Sequence, residues 1–330
     1  MTTSKRLIGI DFLKSISIFG VVFIHSRNDN IISEITSELF RVAVPLFIVF
    51  FSYFLEKNLS SVSTKKEYND ILKQKFFLLF LPYAFFTILY FFILNDLSLI
   101  KPRELITGYW SGYGWSGQYF FIVLFQLILV FPLLQKIVNV KLIYIITISL
   151  FLYLIMSYIF WNLSFVSKLS DRIFIYWLPY AILGILLYKN IDLFKNIANK
   201  LILFTIFLIP TEFFIFNYFN IVHSSYVLVS ILVSSSLIAI YFIVNENIIK
   251  KYLPDYLKKL SIYISNKTLG IFVLNPLFIF LLKPFYSFIQ VENFLIDSIM
   301  IFLFSILIFI LCILTIEILS RTFIKKLISN

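Results

Sequence analysis

Ten apolar segments, each close to the length that crosses a bilayer as a helix, follow one another along this 330-residue chain. Hydrophobic residues make up 61% of the chain and charged residues only 14%, whereas soluble domains are about a quarter charged. The pattern predicts an all-α, polytopic membrane protein with about ten transmembrane helices, forming a single integral membrane domain over residues 1–330. The predicted spans are 8–26, 40–55, 76–94, 118–134, 142–160, 173–188, 200–219, 224–244, 267–283 and 293–318.

The basic residues divide unequally between the two sides of this predicted bundle. Of the 28 Lys and Arg residues, 20 fall in connections on the side of the N-terminus, seven on the other side and Lys14 inside the first segment. Such an excess marks the cytoplasmic side, so both termini are expected to be cytoplasmic. The net charge of +11 is then a consequence of topology in a lipid bilayer, and the sequence predicts no nucleic-acid partner.

Several kinds of chemistry lack their sequence signals. Cys312 is the one cysteine, and the two histidines are His25 and His223, so no metal site is predicted. Neither a GxxxxGK[ST] phosphate loop nor a GxGxxG fingerprint is present. ATP-driven transport and dinucleotide binding therefore have no support.

The first apolar segment carries three ionisable side chains, Asp11, Lys14 and His25. On a helix Lys14 and His25 differ by only about 20° in azimuth and lie about 16 Å apart along the axis, with Asp11 on the same side. Charge at membrane depth is costly unless it meets a partner or a water-filled cavity. This helix face is therefore the primary candidate site, with an Asp11–Lys14 ion pair and an interfacial histidine as the alternative.

Two kinds of loop add secondary candidates. The outward connection 95–117 interleaves Tyr109, Trp110, Tyr113 and Trp115 with Gly and Ser, a pattern that fits either an interfacial aromatic belt or a platform for a sugar ring. The inward basic loops 56–75 and 245–267 could meet the phosphates of an anionic cofactor or simply follow the positive-inside rule.

A further set of polar residues lies in apolar context or in a short loop. Most are expected to form hydrogen bonds between packed helices, and His223 to be solvated. The set comprises Gln126, Glu212, His223, Asn275, Asp297 and Glu317.

The opening IDFLKSISIFGVVFIH resembles the first helix of the membrane acyltransferase 3 family, in which an Asp is followed three residues later by Arg or Lys and then by a His. Further stretches are similar to later family helices: PLFIVFFSYFL, KQKFFLLFLPY, QYFFIVLFQLILVFPLL, RIFIYWLPYAILGILLY and NKTLGIFVLNPLFI. The resemblance covers nearly the whole chain. It departs from the family pattern at Tyr53, where Gly is usual, at Leu79, where a second basic residue is usual, and at Asn275, where His is common.

The resemblance implies a membrane O-acyltransferase, an acyltransferase for groups other than aminoacyl groups, in the bacterial cytoplasmic membrane. It would transfer an acyl group, most simply acetyl from cytoplasmic acetyl-CoA, to a hydroxyl of an envelope polysaccharide or glycolipid. His25 would act as general base or transient acyl carrier, and Lys14, oriented by Asp11, would position the acyl-CoA. Lys73 and Lys75 are the candidate cofactor-binding residues.

Two other classes of function stay open from the sequence. A polysaccharide exporter or flippase would also have ten helices and a polar interior. A non-catalytic subunit of an envelope assembly would need no histidine, and the departures at Tyr53, Leu79 and Asn275 leave that possibility standing.

Overall fold

The computed structural model describes residues 6–28, 30–94, 114–138, 170–196, 205–219, 228–287, 293–321 and 325–328, together with residues 110, 112, 150, 153 and 226. Helices and no strands occur in these ranges, as the all-α prediction requires. The α-helices are α1 (Ile8–Ser26), α2 (Ile31–Phe40), α3 (Ala43–Leu59), α4 (Lys65–Leu94), α5 (Gln118–Val138), α6 (Leu178–Lys189), α7 (Thr205–Tyr218), α8 (Val229–Val244), α9 (Glu246–Tyr252), α10 (Asp255–Ser265), α11 (Thr268–Ser287), α12 (Phe294–Leu319) and α13 (Lys325–Ile328).

Six helical segments of the described chain are long and apolar enough to cross a membrane. They are Ile8–Ser26, Ile31–Leu59, Lys65–Leu94, Gln118–Val138, Thr268–Tyr286 and Leu295–Leu319, and the pair α8 and α9, bent by 72°, would make a seventh. Phe174–Lys189 is a shorter apolar helix. The predicted span 142–160 lies almost wholly outside the described residues, so the count of ten stays a prediction.

The two basic connections are more helical than the loops expected from the sequence. Residues 65–75 form the start of α4, and 245–267 contains α9 and α10. Apolar periodicity marks only the part of a helix that packs or meets lipid, whereas backbone hydrogen bonding continues into the polar residues beyond it. The helix that contains the predicted span 76–94 therefore begins about three helical turns before it, at Lys65.

Helix α1 lies at the centre of the described bundle. It packs against α2, α3, and α8 to α12, and most of its side chains are buried. The outer helices instead expose apolar side chains, such as Leu303, Leu307 and Leu314 on α12. Apolar residues on all sides suit a buried central helix, and exposed apolar faces suit contact with lipid.

The N-terminal end of α1 is held by a side chain from the last third of the sequence. Both carboxylate oxygens of Glu246 accept backbone N–H groups, from Ile8 and from Gly9, each at 2.7 Å. These N–H groups have no partner within the helix, and a carboxylate also suits the positive end of the helix dipole. Glu246 therefore fixes where α1 begins relative to α9.

Helices α3 and α6 approach each other closely at Gly184. A Cβ atom at this position would lie 2.3 Å from the carbonyl oxygen of Val49 and 2.8 Å from Cβ of Ser52. Small residues at such points let helix backbones come together in membranes. One turn further along α6, Tyr188 packs edge-to-face on Tyr53 at 5.6 Å between ring centroids, so Tyr53 occupies this interface where the family usually has Gly.

Candidate active site

His25 lies in the last turn of α1, where its Nδ1 atom is 2.9 Å from Oδ1 of Asn275 on α11. Asn275 is fully buried. The contact joins residues 250 positions apart in sequence, so it depends on the packing of α11 against α1. Asn275, predicted from the sequence to be a packing residue, is thus the direct partner of the candidate catalytic histidine.

Pro276 explains why an amide side chain stands at position 275. Proline has no N–H, so the carbonyl of Phe272, four residues earlier in α11, loses its normal helical donor. The Nδ2 group of Asn275 donates to that carbonyl at 2.7 Å and to the carbonyl of Ile271 at 3.1 Å. Only the NH₂ group of the amide can donate to these two carbonyls. This fixes the orientation of the amide, so that Oδ1 faces His25.

This orientation determines the tautomer of the imidazole. An amide oxygen only accepts hydrogen bonds, so Nδ1 of His25 must carry the proton and donate it. Nε2 then holds the lone pair, and it forms no hydrogen bond with the described part of the chain. The arrangement leaves Nε2 available to accept a proton.

Gly117 borders the imidazole, and the charge of Arg41 acts on it. Gly117 has φ +88, and a Cβ atom there would lie 3.4 Å from Cε1 of His25, so both its backbone conformation and its position favour glycine. Arg41, between α2 and α3, is close enough for its charge to act on His25. Its guanidinium lies over the ring of Tyr226 at 4.7 Å and pairs with Glu38 at 3.5 Å.

The predicted ion pair between Asp11 and Lys14 is absent. The Asp11 carboxylate instead accepts from Nε of Arg6 at 2.6 Å and from the hydroxyl of Ser265 at 2.6 Å. Asp11 therefore ties the chain before α1 to the end of α10. No hydrogen bond or ion pair joins Asp11 to Lys14, although the Asp11 charge acts on that ammonium group. Its role in orienting Lys14 stays a prediction.

Lys14 lines a cavity of about 450 Å³ between α1, α3, α4, α5 and α11. Lys75 of α4 lines the same cavity. The charges of Asp11 and Lys75 both act on Lys14, that of Asp11 more strongly. Neither lysine has an ion-pair partner among the described residues, and no described carboxylate lines the cavity. Most of the remaining wall is Phe and Leu, with Asn58 and Thr268 as its other polar members.

Lys73 and Leu79 fall on different sides of α4. Leu79 lines the cavity, whereas Lys73 is exposed and does not line it. The structure therefore groups Lys14 with Lys75 in one cavity and His25 with Asn275 beyond it. The role of Lys73 as a cofactor-binding residue stays a prediction.

The aromatic outward loop is described only in part. Tyr109 and Tyr113 lie outside the described residues, and so does His223. Trp115 is buried, packs on Tyr90 at 5.3 Å between ring centroids, and donates from its indole N–H to Thr87 at 3.4 Å. Trp115 is thus a core residue, neither an interfacial anchor nor an open sugar platform.

Four of the other polar side chains form hydrogen bonds between elements, as predicted. Gln126 binds the backbone of Arg172 and Phe174. The remaining contacts are those of Glu212 with the backbone N–H groups at the start of α8, of Asp297 with Tyr286, and of Glu317 with Tyr263 and Lys267. The described residues contain no cluster of three or more His, Cys, Asp or Glu side chains that could hold a metal ion.

The apolar helices define a multi-pass membrane protein. Its candidate site lies inside the bundle, where the central helix carries an oriented histidine near the end of a cationic cavity. A family model described as an acyltransferase domain, that of the acyltransferase 3 family, matches residues 7–318. The chain therefore belongs to this family of membrane acyltransferases, which confirms the resemblance found in its motifs. Comparison with curated proteins and with solved structures gave no match.

Proposed function

We propose that this protein is a membrane O-acyltransferase that moves an acyl group, most simply acetyl, from cytoplasmic acyl-CoA to a hydroxyl of an envelope polysaccharide or glycolipid. Membership of the acyltransferase family supports the reaction class. The proposal adds four points to that class: the donor, the acyl group, the acceptor, and a location in the bacterial cytoplasmic membrane.

The observation that carries the donor assignment is the pair of lysines in one largely apolar cavity. Lys14 and Lys75 face this space without a carboxylate among its described lining residues. Uncompensated cations at membrane depth are costly, so such a pair indicates an anionic ligand that completes the site. Acyl-CoA combines phosphates with a long, weakly polar arm and a thioester, which matches two cations beside an apolar wall.

The positions along α1 agree with a donor that enters from the cytoplasm. If the N-terminus is cytoplasmic, Lys14 lies toward the cytoplasmic half of the helix and His25 near its outer end. An acceptor outside the membrane would then reach His25, while the donor approaches from the Lys14 end. The bundle would thus carry the acyl group across the bilayer without moving the whole CoA.

The chemistry proposed for His25 follows from its tautomer. Nε2 accepts the proton of the acceptor hydroxyl while the hydroxyl oxygen forms a bond to the acyl carbon and the carbon–sulfur bond breaks. The CoA thiolate leaves and takes the proton from the imidazolium. Throughout, Nδ1–H stays bonded to Asn275, whose oxygen stabilises the imidazolium and holds the ring in place.

Binding of the donor tests this proposal directly. With protein purified into liposomes, we expect Lys14→Gln and Lys75→Gln each to weaken acetyl-CoA binding by roughly tenfold, the order of one lost charge-assisted contact. Lys66→Gln removes the same charge from an exposed position on α4 and should change the affinity little. The affinity of Lys73→Gln for acetyl-CoA shows whether that exposed lysine contributes to donor binding.

The membrane level of the Lys14 variant is a second readout. Since Asp11 already pairs with Arg6 and Ser265, loss of Lys14 leaves no buried carboxylate without a partner, and normal protein levels are expected. If the protein neither binds nor cleaves acyl-CoA yet still supports glycan export, the exporter function replaces the acyltransferase one.

A further inference from the structure

The cationic cavity ends before it reaches the imidazole. Its lining includes Lys14 and Thr268 but not His25. On α11 the order is Thr268 in the cavity, then Phe272 at the cavity wall, then Asn275 at the histidine. Phe272 is therefore the residue of α11 that stands between the proposed donor space and the proposed base.

The ring of Phe272 lies beside the imidazole, against the same glycine. A Cβ atom on Gly117 would be 2.8 Å from Cζ of Phe272 and 3.4 Å from Cε1 of His25. Cζ of Phe272 and Cε1 of His25 are therefore no further apart than the sum of these two distances. The ring tip rests where Gly117 has no side chain, so a residue that lines the cavity also lies close to the histidine.

An aromatic cluster lies at the Phe272 end of the cavity. The Phe272 ring packs on Phe120, Phe121 and Trp115, with ring centroids 5.5, 5.8 and 6.3 Å away. Phe272 and Phe121 are buried, and Trp115 is buried beside them. Phe120, Phe121 and Phe272 line the donor cavity, whereas His25 does not.

A hydrogen bond restrains the backbone at Phe272, whereas its side chain can rotate about the Cα–Cβ bond. The Phe272 carbonyl accepts the Asn275 amide at 2.7 Å, which replaces the bond that Pro276 cannot make. Backbone movement at this point would also disturb the partner of His25. A rotation of the Phe272 side chain, in contrast, would open the cavity toward the imidazole and leave the His25–Asn275 bond intact.

We propose that Phe272 determines which acyl groups the enzyme transfers. The proposal rests on the acyltransferase function given above and adds the size of the acyl group to it. For the carbon–sulfur bond to break as the new carbon–oxygen bond forms beside His25, the thioester carbonyl must pass the point that the ring occupies. The acyl tail then fills the space that the ring leaves, so acetyl fits and a long chain meets Phe120, Phe121 and Trp115.

Donor competition measures this selection as a ratio. With equal acetyl-CoA and hexanoyl-CoA, we expect the unaltered protein to transfer mainly acetyl. Phe272→Ala should raise the ratio of hexanoyl to acetyl transfer at least tenfold, Phe272→Leu should raise it less, and Phe272→Trp should lower it. A ratio is insensitive to the amount of folded protein, which keeps the test valid for a destabilised variant.

Phe54→Ala is the matched control, because it removes a phenyl ring from the same cavity beside Asn58, on α3. It should change transfer of both donors in parallel and leave the ratio as it was. An unchanged ratio in both Phe272→Ala and Phe272→Leu would overturn the proposal. So would an equal rise in Phe54→Ala, or loss of all transfer in every Phe272 variant.

A labelling experiment tests the barrier without any acyl donor. In a Cys312→Ala background, His25→Cys introduces a thiol behind Phe272, and a charged thiol reagent is added from the Lys14 side. We expect Phe272→Ala to accelerate labelling at least tenfold and Phe54→Ala to leave its rate unchanged. Equal rates with and without Phe272→Ala would overturn the barrier, whereas absence of transfer in the unaltered protein would contradict only the acyltransferase function.

Discussion

The hydrogen bond between His25 and Asn275 gives the imidazole one free nitrogen, and this determines what loss of the side chain should do. We expect His25→Ala to lower acyl transfer by about 10²-fold or more, the usual contribution of a general base. The protein should still insert and fold, because His25 lies in the last turn of α1 and is not fully buried. Mass spectrometry of acceptor O-acylation, normalised to membrane protein level, measures the effect. A fully acylated product in the His25→Ala strain would contradict the assignment.

If His25 is the base, Asn275 positions it through their hydrogen bond and should not touch the donor. Asn275→Ala is expected to lower kcat by roughly tenfold or more while KM for acetyl-CoA stays the same, since tautomer and orientation are lost but the cavity is not. Asn275→Asp keeps an acceptor for Nδ1–H and should recover part of kcat. Steady-state kinetics on both variants provide the comparison. If KM rises and kcat does not fall, Asn275 acts only on packing.

The sequence predicted His25 and Lys14 because ionisable groups in an apolar segment are visible without any tertiary information. It could not predict the partners. Asn275 meets His25 only after α11 packs on α1, and Asp11 selects Arg6 and Ser265 over the neighbour that helical spacing favoured. Nothing in the local sequence of Arg41 indicates that its charge acts on the histidine.

At the scale of helices, the close approach of α3 and α6 is the feature most sensitive to a single atom. We expect Gly184→Ala to destabilise the protein by about 1–3 kcal/mol, because the added methyl would press on the Val49 carbonyl and push the helices apart. Leu183→Ala, at the partly exposed neighbouring position, should cost less. Thermal unfolding in detergent compares the two. Equal midpoints for Gly184→Ala and the unaltered protein would mean that the interface adapts freely.

Segments with strong apolar character were predicted well, and their polar extensions were not. Helices α1, α5, α11 and α12 lie where the hydrophobic runs predicted them. Helix α10 was predicted as part of a loop because it is polar overall. In the structure its Ser261 carbonyl accepts the hydroxyl of Ser15, and its Ser265 hydroxyl donates to Asp11, both on α1. Burial by neighbouring helices stabilises such an element, and that information is not local.

For the whole molecule, the distribution of Lys and Arg predicts which connections share a side of the membrane. Cysteine substitutions at Glu67 and at Ile249, in a Cys312→Ala background, should be labelled by an impermeant thiol reagent from the cytoplasmic side only. Arg27→Cys should be labelled only from the opposite side. These three positions lie respectively in α4, in α9 and after α1. Labelling of the first two from opposite faces would contradict the topology.

The capping of α1 by Glu246 has a consequence for biosynthesis. The partner of the Ile8 N–H group, Glu246, lies 238 residues later in the chain, and the partner of His25, Asn275, lies 250 residues later. Helix α1 is therefore synthesised well before the residues that cap its start and orient its histidine. A chain interrupted before Glu246 therefore lacks both the residue that caps α1 and the partner of His25, and we expect it to have no activity of the kind proposed above.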